Sequence, residues 1–302
     1  TFTAGYSLTP YVIQPGQVVT KTSRVFAGAK RVDVLERYEN VDKIPAFTDA
    51  VDWSWLFFIT KPFFWLLKIF QSWFGSFGLA ILALTVVVKT VFFPLQFGMY
   101  KSMSKMRLLQ PEMKSIQDRF AADPQRMRQE QAKLWQREKI NPLAGCLPII
   151  PTMFVFYALF HTLAVTIEMR HTPFFGWIRD MSAPDPTTVF NLFGLIPWNP
   201  GTVPLIGGLL MIGVWPLLYG GTMFLLQGLS TPPADKMQRA IMKWIPLLFL
   251  VLFAGFASGL VIYYVWSNII SVIQQYIIMR RTGVETEFDK FIAKRFGTKK
   301  PA

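Results

Sequence analysis

A chain of 302 residues that is 52% hydrophobic and 16% aromatic, yet carries a formal charge of +13, is not composed like an ordinary soluble enzyme. Strong hydrophobicity with concentrated positive charge is the balance of a multi-span membrane protein, whose Lys and Arg gather on cytoplasmic loops. A single cysteine, Cys146, excludes an internal disulfide and a metal site built from thiolates.

The opening, TFTAGYSLTPYVIQPG, has neither a methionine nor a signal peptide and reads as a cut edge inside a larger protein. Residues 1–48 differ from everything after them. Their QVVTKTSRVFAGAKRVDVLERYEN has short β-rich alternations and no spanning run, which predicts the last strands of a water-exposed domain. Residues 49–75 are rich in Trp and Phe but interrupted by Asp52, Lys61, Pro62 and Lys68, the pattern of a helix lying along the membrane interface.

Five stretches are long and apolar enough to span: 76–98, 142–166, 204–227, 241–257 and 259–279. The last two are cut from one nearly charge-free run at Phe256–Gly259, FASG, which implies a very tight turn. Loop charges orient them. Loop 99–141 holds ten Lys/Arg against five Asp/Glu, and loop 167–203 holds two against three. The connection after the third span (228–240, counted to Lys243) holds three against one, and the tail 280–302 seven against three. The positive-inside rule then places the first, third and last of these in the cytoplasm and 167–203 outside, with residues 1–75 also outside.

Within the large cytoplasmic loop, Met99, Met103, Met106, Leu109, Met113, Ile116 and Phe120 follow steps of three and four, an apolar stripe on a helix. Asp123 and Pro124 then supply an N-cap and a first-turn proline for a second helix running to about Ile140. The two make an antiparallel hairpin. The methionines Met99, Met103, Met106 and Met113 suit packing, and Met also suits adaptable substrate contact.

Lys89 is the only charge between Phe77 and Gly98. A cation at mid-span costs about 2.5–3.5 kcal/mol on insertion scales. Snorkelling to the cytoplasmic headgroups would have to bridge nine residues, about 14 Å. A buried ion pair would need an acid, and no predicted span contains Asp or Glu, Glu168 lying at an outer edge. The remaining choice is a cation that faces water within the membrane plane. Thr85 lies one turn before it on the same face, and Thr152 in the second span is a weaker companion. In the last span Tyr264, Asn268, Ser271 and Gln275 recur at i, i+4, i+7 and i+11. Such a stripe either lines a hydrated groove or ties helices together by hydrogen bonds.

These residues carry a resemblance. YKSMSKMRLLQPEMKSIQDRF, KINPLAGCLPIIPTMFVFYAL and SGLVIYYVWSNIISVIQQY, in that order with spans between them, resemble the YidC/Oxa/Alb family of membrane-protein insertases from about residue 50 to 282. The resemblance implies an all-α polytopic membrane protein of the bacterial inner membrane. Five transmembrane helices would surround a hydrophilic groove, with a cytoplasmic helical hairpin and an N-terminal β remnant of a periplasmic domain. It implies a groove open to cytoplasm and lipid, closed to the periplasm, with a cation at the position of Lys89. Incoming proteins would pass through it without a cofactor or nucleotide. The implied partners are nascent membrane proteins, the Sec translocon, the ribosome and anionic lipids, with no specific nucleic-acid binding. Two departures stand out: the family cation is usually Arg, so bidentate recognition is lost, and Pro151 replaces a residue that is polar in some relatives. The 187–204 connection also looks longer than the family core requires. A small-solute transporter is the competing class, and it would more often show repeat symmetry or intramembrane acids. An intramembrane enzyme would need a nucleophile or metal set that His161, His171 and Cys146 do not supply.

Overall fold

The structure is a computed structural model that describes residues 10, 12–22, 24–121, 123–138, 149–204, 206–230 and 236–284. Side chains 149–152, 209, 236 and 238 also lie outside that description. The described elements are all helical: α1 (Val32–Asn40), α2 (Phe57–Phe74), α3 (Phe77–Val91), α4 (Phe93–Leu108), α5 (Gln110–Arg119), α6 (Pro124–Arg137), α7 (Ile149–Val165), α8 (Gly207–Leu210), α9 (Val214–Leu229), α10 (Lys236–Phe253) and α11 (Ser258–Arg281), with short 3-10 turns between some of them.

The bundle is organised around α11, which packs on α3, α4, α7 and α9. Helix α10 lies against α9, while α2 lies against α3 and α7. Ile81, Leu84, Leu159 and Ile262 are all but inaccessible and form the centre of one large apolar cluster. A second cluster, Val32, Leu35, Val51, Trp53 and Phe64, fastens α1 to α2.

The strands expected in residues 1–48 do not occur among the described residues. Val32–Asn40 is helical instead, burying Val32 and Leu35 three residues apart. A strand requires a neighbour for its ladder of hydrogen bonds, and no described segment offers one; helix α1 satisfies its backbone internally.

The predicted span 76–98 is not one straight helix. Helices α3 and α4 meet at Phe92 with a bend of 65°. Pro94 explains it, because its ring lacks an N–H and clashes with the carbonyl four residues earlier. The first helix of the hairpin is therefore the continuation of this span, and it breaks again at Leu109, just before Pro111. The predicted 204–227 span is interrupted too. Only α9 is a full helix, preceded by the single turn α8 and extended residues at 211–213.

The turn between the last two helices falls at 254–257, beginning two residues before the FASG stretch, whose Ser258 and Gly259 open α11. Among the described helices, α11 alone is long and apolar enough to cross a membrane by itself, and α3 with α4 would do so only as one bent pair.

Candidate functional site

Lys89 lies on α3 where that helix faces α11, and its Nζ donates to Ser271 Oγ at 2.6 Å. The hydroxyl of Tyr100, on α4 just beyond the bend, also engages Ser271. No described carboxylate stands close enough to neutralise Lys89. The ammonium is half-buried between two apolar helices and held by a hydroxyl, which orients it without cancelling its charge.

The rest of the predicted stripe divides by partner. Asn268 Nδ2 donates to Thr222 Oγ1 of α9 at 3.2 Å, and Gln275 Nε2 to the Leu229 carbonyl at 2.9 Å. These two side chains therefore tie α11 to α9, the hydrogen-bonding alternative for the stripe. Tyr264 is buried among the rings of Phe156, Tyr219, Phe253 and Tyr263. Its hydroxyl, like Gln275 Oε1, has no hydrogen-bonding partner among the described residues. Thr85 is buried and returns its hydroxyl to the Ile81 carbonyl of its own helix at 2.7 Å. Thr152 belongs to α7, but its side chain lies outside the described residues.

One end of the bundle is closed by the 167–203 connection. Phe174 sits so tightly over α3 that a Cβ on Gly78 would fall 1.9 Å from its ring. The carbonyls of Met181 and Ala183 accept from the backbone N–H groups of Gly259 and Ser258 at 2.9 and 2.7 Å. Those are orphan donors at the start of α11, which need a partner once buried. Asp185, only 2% exposed, does the same for α9. Its Oδ2 accepts from Trp215 N at 2.9 Å, and its Oδ1 accepts from Trp177 Nε1 and Thr187 N, each at 3.0 Å, and from Thr187 Oγ1 at 2.7 Å. Negative charge at a helix N-terminus is favoured by the helix dipole. At the opposite end, Arg107 of α4 donates to the Leu229 carbonyl at 3.2 Å, the oxygen that Gln275 also uses. The bundle thus has a plugged end and an end where the hairpin begins, with Lys89 between them.

This arrangement has known relatives. The family described as 60Kd inner membrane protein matches residues 69–285, and the YidC periplasmic domain matches residues 1–66. The chain belongs to the YidC insertase family. It is 51% identical over 293 residues to a membrane protein insertase YidC of Maricaulis maris, covering 97% of this chain and 50% of that protein. It is 50% identical over 302 residues to one of Caulobacter vibrioides, covering 95% and 49%. The chain therefore spans about half the length of the YidC relatives it matches. The fold is similar to that of an active YidC insertase crystal structure with the first transmembrane domain resolved. That similarity has a TM-score of 0.54 at 22% identity, over 80% of this chain and 51% of that one.

In this YidC-family chain the hairpin begins on the helix that leaves the bend. Asp123 Oδ1 accepts from Gln125 N and Arg126 N at 3.1 and 3.0 Å, the predicted N-cap of α6. Arg137 Nη2 reaches Glu112 Oε2 at 2.6 Å and links the two arms. Met99, Met103 and Met106 of α4 and Met113 of α5 are all half-buried, whereas the residues that α4 buries are Tyr100 and Ser104. The expected end near Ile140 lies outside the described residues. Sequence reasoning missed Tyr100, Thr222 and Asp185. Tyr100 and Thr222 fall on the boundaries of predicted spans or among apolar neighbours. Asp185 sits in a polar stretch of loop composition, and its main partner, Trp215, is 30 residues away.

Proposed function

We propose that this chain is the insertion core of a membrane-protein insertase of the bacterial inner membrane. The observation that carries this reading is Lys89, half-buried at the α3–α11 contact, held by Ser271 and without a described carboxylate partner. Coulomb attraction strengthens as the surroundings lose water, so such a cation draws an acidic segment further than a surface lysine would. Ser271 offers only a neutral oxygen, which a carboxylate can displace.

In this reading five helices cross the membrane: α3, α7, α9, α10 and α11. Helices α3 and α9 are short, 15 and 16 residues. Their lengths of about 22–24 Å fall below a hydrocarbon core of about 30 Å, so the bilayer thins locally and the path for polar residues shortens. The plug of Phe174 and Asp185 faces the periplasm and closes the groove there, while the hairpin stands at the cytoplasmic mouth. Helix α2 lies along the outer interface, with Phe57, Phe58, Trp65 and Trp73 exposed toward lipid. Lys89, Thr85, Thr152, Tyr264, Asn268, Ser271 and Gln275 line or brace the groove, and Met99, Met103, Met106 and Met113 receive apolar segments at its mouth. Substrates are nascent membrane proteins, delivered by the ribosome or passed from the Sec translocon. The basic hairpin and tail favour ribosomal and anionic lipid surfaces. Neither a cofactor nor nucleotide hydrolysis enters the mechanism.

The test is reconstitution of the full-length protein in liposomes without nucleotide or ion gradient. Protease protection of a single-span substrate with an acidic leading segment should rise well above that in empty liposomes. Equal protection in the two would overturn the proposal.

A further inference from the structure

Between α1 and α2 lies a cavity of about 470 Å³, lined by Glu36, Trp53, Lys61, Phe64, Trp65 and Lys68 among others. Its floor is firm. Trp53 Nε1 donates to the Thr48 carbonyl at 3.1 Å, and the ring stands edge-on to Phe64 at 5.4 Å, inside the second apolar cluster. Its rim carries Lys61, Trp65 and Lys68 of α2, at steps of four and three, with the exposed Phe58 one turn earlier on that helix. Aromatic and basic side chains interleaved on one helix face suit the headgroup level of a bilayer.

The charges specify the guest more narrowly. Lys61 Nζ pairs with Asp49 Oδ1 at 3.0 Å and stands 5.8 Å over the Trp53 ring. Lys68 Nζ pairs with Glu36 Oε2 at 3.5 Å. Each of the two lysines thus has a carboxylate beside it, so neither stands as a free cation for a bare anion. Both pairs are about half exposed, and pairs of that kind are weak enough to exchange for other partners. A guest carrying both signs can exchange them together.

We propose that this cavity holds the headgroup of a zwitterionic phospholipid of the phosphatidylethanolamine type. The phosphate sits between Lys61 and Lys68. The primary ammonium goes to Glu36, with the face of Trp65 beside it, and the acyl chains follow the exposed aromatic face of α2. The site rests on the interfacial placement of α2 proposed above, and it would anchor that helix where the periplasmic segment meets the bundle.

The test uses the full chain in detergent micelles doped with phosphatidylethanolamine or phosphatidylglycerol, with retained lipid counted by native mass spectrometry. Wild type should retain phosphatidylethanolamine roughly tenfold over phosphatidylglycerol, the scale of one charged hydrogen bond. K61Q/K68Q should lose the retention of both lipids, and E36Q should bring the two to parity while keeping retention. All three positions are on the surface, so the fold should survive. Unchanged preference in either variant, or displacement of the lipid by millimolar inorganic phosphate, would overturn the site. A nitroxide at Ser72→Cys (with Cys146→Ser) separates the two readings. A label in bulk water would sink the interfacial placement itself, whereas a label at headgroup depth with no lipid preference would sink only the site.

Discussion

Asp185 joins three parts of the chain through one carboxylate: the indole of Trp177, the Thr187 turn and the first turn of α9. Truncation to Asp185→Ala strands several buried donors and should lower stability by about 3 kcal/mol, read as a fall in the thermal midpoint in detergent. Asp180 is the pH-sensitive counterpart on the same loop. Hydrogen bonds from Ser182, then from the His171 N–H, hold its carboxyl below the usual carboxylate range. They also fix His171 in a left-handed backbone conformation, φ 58°. A depressed folded value means that the stabilisation is complete above the ordinary range, near pH 4, and is lost as pH falls through the lower folded value. Amide exchange at His171 and Ser182 should therefore stay protected at neutral pH and open as pH falls below the ordinary carboxylate range, and Asp180→Asn should remove that transition. Single residues differed in how legible they were. Lys89 stands out because a charge inside an apolar run has few explanations, and Ser271 because it falls on a helical stripe with Asn268; what the sequence did not indicate is that the two side chains meet. Asp185 could not, because a loop aspartate becomes a helix cap only when a distant segment folds beneath it.

At the scale of elements, local signals were most reliable at helix ends. The Asp123 cap follows from local pattern, and the break between the last two helices falls within two residues of FASG. The methionine stripe, by contrast, crosses the break at Leu109 and lies beside the buried Tyr100 and Ser104. Straightness was misjudged where apolar composition runs through a bend. Pro94 was visible inside the 76–98 stretch, yet hydropathy averages over it, and so does the break before α9. Segment Val32–Asn40 went wrong for another reason: alternation in VDVLER also fits a helix that buries Val32 and Leu35, and only a pairing partner separates the two. The hairpin carries a prediction at this scale. It is tied to the bundle through Arg107 and Tyr100, near the C-terminal end of α9 and the Lys89 contact. Replacing residues 101–139 by a short flexible linker should leave the helical circular dichroism of the bundle cooperative on heating while abolishing insertion in liposomes. Full insertion by that variant would reduce the hairpin to decoration.

Across the whole molecule, a plug at one end and a helical hairpin at the other leave a half-buried cation between them. The plug rests on close approaches that only glycine allows: Gly78 beneath Phe174 and Gly213 beside Asp185, where a Cβ would come within 2.6 Å of the carboxyl carbon. In the mechanism proposed above, closure of the plugged end makes the central charge useful, since an acidic segment drawn to Lys89 would enter from one side only. The central claim is that charge at position 89, rather than shape, governs entry. It is tested most directly by initial insertion rates in liposomes for Lys89→Arg and Lys89→Leu, with one substrate carrying an acidic leading segment and another whose segment is neutral. Lys89→Arg should keep both rates near wild type. Lys89→Leu should slow the acidic substrate about tenfold or more, the scale of one lost charged contact, while the neutral substrate changes little. Normal insertion of the acidic substrate by Lys89→Leu would contradict the account.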